Sequence, residues 1–224
     1  MRISKSVFLI SFIFFLLSVE VNANVIRAAI DFGTAGPKLR IAEIDLENNK
    51  IVKLLHSQQF PVNFQTALAR DKNNCITQEI MEEGLIAFKK AITVAHEYGV
   101  DGIVTVGASL FRIADNAQEF ADYIQYHTNI HVHIIDQSTE ALLAYQAAVG
   151  LIDADPKNVV VWDVGGGSTQ FTGIDENGSL WMKNLNHGSG DFRDYVIENI
   201  QGHLKSDCLS PNPLSEQDCI KAVS

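Results

Sequence analysis

Val161-Trp162-Asp163-Val164-Gly165-Gly166-Gly167-Ser168-Thr169 is the stretch on which the fold turns. An apolar, β-branched run ends in an acid, then three glycines, then two hydroxyls. A second passage, Ala29-Ile30-Asp31-Phe32-Gly33-Thr34, matches it 132 residues earlier. Each has Asp, then Gly two positions on, then a hydroxyl. Each is followed by a strand, an Asn-containing turn and another strand. One Asp-x-Gly is usually a structural turn. Two copies in matching contexts point to internal duplication: two lobes, each opening with a strand–turn–strand hairpin.

The chemistry of the loops suits phosphate. A tight turn after a buried strand exposes successive backbone N–H groups, and glycine lets phosphate oxygens approach them. Thr34, Ser168 and Thr169 add hydroxyl donors, so Gly33, Thr34, Gly165, Gly166, Gly167, Ser168 and Thr169 are the candidate phosphate-binding residues. An aspartate at each strand end would repel bare phosphate. Asp31 and Asp163 make sense if a divalent cation, Mg²⁺ above all, sits between acid and phosphate.

Outward from the loops, Val25–Asp31, Leu39–Leu46 and Ile51–Leu55 read as three antiparallel strands. Residues 60–76 read as irregular. Met81, Leu85, Phe88, Ile92 and Ala95 draw one stripe on a helix over Thr77–Tyr98, with Gly99 as its C-terminal stop. Gly102–Val106 is a buried-type strand. Asn116 with Glu119 predicts a capping box and a helix to about Tyr126. His131–Ile135 is a strand, and Ser138 is the expected cap of a helix reaching Gly150. Leu151–Lys157 reads as a joint between lobes, which divides the chain into residues 24–152 and 153–224. In the second part, Val159–Trp162, Phe171–Ile174 and Leu180–Leu185 are strands, the last two about an Asn177-Gly178 turn, and Asp191 to about Leu204 is helical.

The chain has 224 residues, 17 basic and 27 acidic, and 46% hydrophobic content. That apolar fraction excludes general disorder, and the formal charge of −10 argues against nonspecific nucleic-acid binding. The first residues distort these figures. Arg2 and Lys5, an apolar run Val7–Val19 and small residues ending at Ala23 have the order of a secretory signal. Thirteen residues span about 20 Å as a helix, short of a ~30 Å hydrocarbon core. Cleavage after residue 23 would leave 201 residues with net charge −11. The expectation is a secreted or periplasmic protein without a stable membrane anchor. Export permits disulfides, and a Cys208–Cys219 bridge is expected to staple a weakly structured tail, with Cys75 free.

At this point the sequence resembles the exopolyphosphatase/guanosine pentaphosphatase (Ppx/GppA) family, from about Val25 to Tyr195. Besides the two loops, Gly107-Ala-Ser-Leu-Phe-Arg112 stands where the family has a Thr/Ser-Ala-Leu-Arg run. Ile134-Ile-Asp-Gln-Ser-Thr-Glu140 stands where the family has its Glu-Glu-Ala passage. The resemblance implies an α/β, two-lobed, actin-like (ribonuclease H-like) phosphotransferase fold. It implies Mg²⁺-dependent hydrolysis of terminal phosphoanhydride bonds, with Glu140 as catalytic base and Arg112 on the transferred group. A small phosphorylated ligand, a pentaphosphate-type nucleotide or short polyphosphate, suits an acidic chain better than a long polyanion.

The departures are specific. The first loop continues Thr34-Ala35-Gly36-Pro37 instead of the family's Ser-Asn-Ser, and the second ends Ser168-Thr169-Gln170 instead of Ser-Thr-Glu. The latter also resembles the secreted apyrases. Only 61 residues follow Asp163, so the second lobe reads as shortened: a reduced lobe, a lobe completed by another chain (a homodimer among the options), or a fragment. Two alternatives to the hydrolase stay open: a degenerate module that binds a phosphorylated ligand without turnover, and, ranked last, a small-molecule kinase of the same fold. His131 and His133 share a strand face but have no third ligand nearby, which favours solvent-facing histidines over a zinc pair. His187 reads as a loop residue, and Trp162 and Trp181 as core or edge packing.

Overall fold

The computed structural model describes residues 24–48, 50–208 and 210–223. The expected leader, residues 1–23, lies outside the described residues. Two sheets organise the chain. The first has five strands in the order β3-β2-β1-β4-β5, and the second has three, β6-β7-β8.

In the first sheet, β1 (Val25–Gly33), β2 (Gly36–Asp45) and β3 (Lys50–Gln59) form the expected antiparallel meander. Gly36, at φ +91°, makes the tight turn between β1 and β2; a side chain there would strike the Phe60 carbonyl. Two helices follow before β4. The first, α1 (Phe64–Arg70), occupies a stretch whose sequence reads as irregular. It is capped by Asn63, whose side chain accepts from Thr66 N–H. The second, α2 (Gln78–Glu97), buries the stripe read from the sequence and ends in Tyr98-Gly99, with Gly99 at φ +65°. β4 (Gly102–Gly107) returns parallel to β1, and β5 (Val132–Ile134) lies parallel to β4.

Between β4 and β5 lie α3 (Ser109–Ile113) and α4 (Ala117–Thr128). Helix α4 begins where expected, but Asn116 makes no cap. Its side chain accepts from Ile76 N–H at 2.8 Å and donates to the Ile76 carbonyl at 2.9 Å, tying α4 to the start of α2. The core under this sheet centres on Phe32, whose ring meets Phe64, Phe88, Phe111 and Phe120, one from each of α1 to α4, at 5.5–5.8 Å. Ala28, Ile30 and Phe32 are 1%, 1% and 0% exposed, so the strand ending at Asp31 and Gly33 is held by fully buried neighbours.

Helix α5 (Gln137–Val149) is capped by Asp136 and not by Ser138: Asp136 Oδ1 accepts from Thr139 N–H at 2.7 Å. That bond holds the Asp136 carboxyl below the usual carboxylate range. Although α5 precedes the expected joint, it packs on the second sheet, β6 (Val160–Val164), β7 (Thr169–Ile174) and β8 (Leu180–Leu185). Thr172 donates to the Ala141 carbonyl, and Gln137 donates to the Leu185 carbonyl. Helix α6 (Ser189–Tyr195) continues into a wider π-type turn, Val196–Ile200, so the regular helix is shorter than its sequence suggests.

The tail holds a helix, α7 (Glu216–Val223). The expected Cys208–Cys219 disulfide is not formed. All three cysteines are free: the Cys208 thiol turns back to the Ser210 carbonyl at 3.0 Å, and Cys219 is exposed on α7.

Candidate active site

The two glycine loops meet. A Cβ added at Gly166 would lie 2.6 Å from Thr34 Oγ1 and 3.2 Å from Gln65 Oε1. The first loop is pinned from below: Gln65 N–H donates to the Thr34 carbonyl, and Val62 N–H to the Ala35 carbonyl. Thr34 is 3% exposed. The second loop closes on itself, Gly165 N–H donating to the Ser168 carbonyl at 2.8 Å. The start of α6 then secures it from behind. Ser189 N–H donates to the Gly165 carbonyl and Gly190 N–H to the Gly166 carbonyl. With those carbonyls occupied on the α6 side, Gly165 N–H is the loop donor spent on the fold, and the N–H groups from Gly166 to Ser168 are not used to fix it.

Gln65 was not evident from the sequence. Its side chain reaches both Gly166 and Gly190, where an added Cβ would overlap its amide. It therefore wedges α1 between the second loop and α6. The signal that could have revealed it is Asn63, a helix cap directly ahead of Phe64 and Leu68, one i, i+4 apolar pair.

The loop hydroxyls divide in their roles. Thr169 Oγ1 donates to the His187 carbonyl at 2.7 Å, so this hydroxyl is committed to the fold. Ser168 Oγ accepts from Gln170 Nε2 at 3.1 Å, and its own proton remains to be given. Gln170 is 1% exposed, and its Oε1 has no partner. It stands directly across the β6–β7 ladder from Asp163. A buried carbonyl oxygen without a donor costs roughly 1–3 kcal/mol, so this atom is suited to a cation or a water held by one.

Asp31 is half-buried and faces Lys38 Nζ at 3.7 Å across the β1–β2 hairpin. Burial pushes its carboxyl above the usual range, Lys38 pulls it down, and nearby Asp163 pushes it up again. Glu140 lies in the first turn of α5. Its Oε2 accepts from Arg112 Nη2 at 2.7 Å, and both side chains are about one-fifth exposed. Burial pushes Glu140 up, Arg112 opposes this, and Asp31 and Asp163 add to the push. The structure thus brings Asp31, Glu140 and Asp163 into one electrostatic neighbourhood beside the two loops. Among the described residues no three His, Cys, Asp or Glu side chains form a ready metal cage. Mg²⁺ characteristically takes one or two carboxylates with waters and substrate phosphates. Asp31, Asp163 and the orphan Gln170 oxygen fit that pattern.

Arg112 also donates through Nη1 to the Ile135 carbonyl at 3.2 Å. Two of its five N–H groups are spent, which leaves donors for an incoming oxyanion. The pairing leaves Glu140 Oε1 as the oxygen that can face water. His131, just before β5, and His133 within it are both exposed. Their rings stand edge to face at 4.6 Å, and His131 Nδ1 lies 2.9 Å from Gln125 Oε1. His187 is an exposed loop residue whose carbonyl, not its ring, supports the site.

Comparison with known proteins bears on the fold and the family. The chain is 30% identical over 171 residues to the bifunctional 3-dehydroquinate synthase/phosphatase of Fusobacterium nucleatum, covering 74% of this chain and 26% of that protein. It superposes on the crystal structure of an exopolyphosphatase-like protein with a TM-score of 0.68 at 24% identity, covering 89% of this chain and 58% of the other. The exopolyphosphatase of Cytophaga hutchinsonii gives 0.64 at 24% identity, with 88% and 57% covered. These structures share the two-lobed α/β fold expected from the sequence, and the chain spans less than two thirds of their length. The description Ppx/GppA phosphatase family matches residues 41–199. That match runs from the middle of β2 through α6, with the second glycine loop, Arg112 and Glu140 inside it, and on this ground the chain belongs to the Ppx/GppA phosphatase family.

Proposed function

We propose that this chain is an exported phosphoanhydride hydrolase that releases terminal phosphate from a small polyphosphorylated ligand, a guanosine pentaphosphate-like nucleotide or short polyphosphate. The observation that carries the reading is the Arg112–Glu140 pair, held part-buried beside two glycine loops that touch each other. Phosphoryl transfer asks mostly for positioning and charge neutralisation. The backbone N–H groups of Gly33, Thr34 and Gly166–Ser168, with the Ser168 hydroxyl, would hold the phosphates, while Gly165 N–H closes the loop on the Ser168 carbonyl. Arg112, with its free N–H groups, would meet the oxygens of the leaving phosphoryl group. A water on Glu140 Oε1 would attack the terminal phosphorus and pass its proton to that carboxylate.

Asp31, Asp163 and Gln170 would hold Mg²⁺, whose chemistry here is to neutralise phosphate charge. Lys38 beside Asp31 supplies part of the same neutralisation in its absence. Export is part of the reading because Arg2, Lys5 and the run Val7–Val19 have the order of a secretory signal.

The test is a phosphate-release panel. Purified chain is incubated with Mg²⁺ and nucleoside tri-, tetra- and pentaphosphates or short polyphosphate, and orthophosphate is measured. Release from a nucleotide or short chain, dependent on Mg²⁺, is the expected result. Binding without release over many hours would favour the second reading, a ligand-binding module. Two observations support that alternative: Gln170 stands where the family has a carboxylate, and Lys38 occupies Asp31.

A further inference from the structure

The two lobes differ in one respect that their duplication makes measurable. With the 132-residue offset, Val160, Trp162 and Val164 are the counterparts of Ala28, Ile30 and Phe32. The first-lobe residues are 1%, 1% and 0% exposed, and their second-lobe counterparts are 60%, 66% and 45% exposed. In the first lobe, α2 and α4 cover this face and β4 pairs parallel with β1. In the second, α5 covers the opposite face, and β6 pairs with β7 alone among the described strands.

Register carries the apolar face across the sheet. Trp162 is opposite Phe171, Val160 is opposite Gly173, and Gly173 is opposite Trp181. The Trp162 and Phe171 rings stack at 5.6 Å, and the Trp181 indole lies over Gly173, where a Cβ would come within 2.9 Å of its Nε1. Leu185 extends the same face. The side chains in this register are apolar except Thr169, buried at the loop, and Lys183 on the outer strand, whose stem can lie along the rim.

We infer that this face is an interface between two copies of the chain, their three-stranded sheets packed face to face across a two-fold axis. The inference is independent of the catalytic reading. The area suits it. With large aromatics at 150–250 Å² each, the face offers on the order of 500 Å² of exposed apolar surface per copy. Two copies would bury roughly 1,000 Å², the size at which a specific interface becomes credible. A second copy presents the same uncharged centre, so apolar surface meets apolar surface, and paired sheets about 10 Å apart let Trp162 of each copy interdigitate. Edge-to-edge pairing of two β6 strands would satisfy backbone groups but leave both tryptophans in water, so the face-to-face arrangement is the one assigned.

Both tryptophans of the chain, Trp162 and Trp181, lie on this face, so intrinsic fluorescence reports on it alone. The experiment combines light scattering with acrylamide quenching of the purified chain from nanomolar to about 100 µM. The expected result is a dimer in which quenching falls and emission shifts to the blue as the dimer forms. Trp162→Glu should raise the dissociation constant at least about thirtyfold with unchanged circular dichroism, and Trp162→Phe should retain the dimer. A monomer at every concentration with freely quenched tryptophans would overturn the inference. So would a dimer that Trp162→Glu leaves intact. If Trp162→Glu fails to fold, the concentration dependence of wild-type quenching decides by itself.

Discussion

The contact between the two glycine loops makes Gly166→Ala the most informative single change. An added Cβ would sit 2.6 Å from Thr34 Oγ1, about 0.8 Å short of ordinary contact at about 3.4 Å, and 3.2 Å from Gln65 Oε1. Thr34 is buried, and its backbone is held by Gln65 N–H, so its hydroxyl has little room to move away. The loops must part by several tenths of an ångström. Overpacking of this kind costs about 1–3 kcal/mol, which for a chain of this size lowers Tm by roughly 2–12 °C. The same displacement moves phosphate-holding groups, and a misplacement near 1 Å can cost up to about 100-fold in rate. The expected outcome is therefore a lower Tm and a fall of roughly 10- to 100-fold in kcat/KM for phosphate release. Gly167→Ala is the control, because nothing lies within 4 Å of a Cβ there. Its Tm should be unchanged, whatever its effect on the ligand. Equal Tm for wild type and Gly166→Ala, or equal losses for the two variants, would refute the claim that the loops touch.

Two further changes probe the charges. Burial pushes Glu140 up while Arg112 holds it down. A base works ionised, so Arg112→Ala should move the acid limb of the kcat/KM–pH profile to higher pH, and Arg112→Lys should move it less; an unmoved limb would remove Glu140 as the titrating base. The stability sign is opposite to that of an ordinary ion-paired acid. With its folded pKa above the unfolded one, Glu140 favours folding most below the usual carboxylate range and loses that contribution as pH rises toward its folded value. Glu140→Gln should therefore flatten the decline of Tm across that interval, measured by thermal denaturation. Gln170→Glu would place a buried carboxylate opposite Asp163. Without Mg²⁺ its Tm should fall by several degrees, because an unpaired buried charge costs about 3–5 kcal/mol before relaxation. Mg²⁺ should restore Tm in this variant more than in wild type, and identical responses in calorimetry would count against a metal at this position.

The sequence made the hairpins and loops legible for a physical reason. Asp-x-Gly with a following hydroxyl, and the alternation of Leu39 and Ile41 in β2, are local patterns that local backbone geometry enforces. The α2 stripe was equally local. What escaped was set by distant partners. Asn116 looks like a cap but bonds Ile76, forty positions away, and Asp136 outcompetes Ser138 because its carboxylate reaches Thr139 N–H. Helix α1 is only two turns long, its cap Asn63 is its one local signal, and the packing of its first turn against both loops reveals Gln65. The tail helix did carry a signal, since Ser215 Oγ accepts from Asp218 N–H and Asp218 reaches back to Ser215 N–H. The apolar alternation of β6 was visible too, but nothing in it says which face is covered. Trp162 was expected to pack, and in the single chain it is two-thirds exposed.

In the proposed reaction Glu140, paired to Arg112 beside two phosphate loops, activates the attacking water. The direct measurement is Glu140→Ala, with orthophosphate release and Mg²⁺-nucleotide affinity determined on the same preparation. If Glu140 is the base, release falls by at least about 100-fold, within the usual contribution of a general base, while affinity changes less than about threefold. Loss of release and affinity in equal measure, or release that survives, would contradict it.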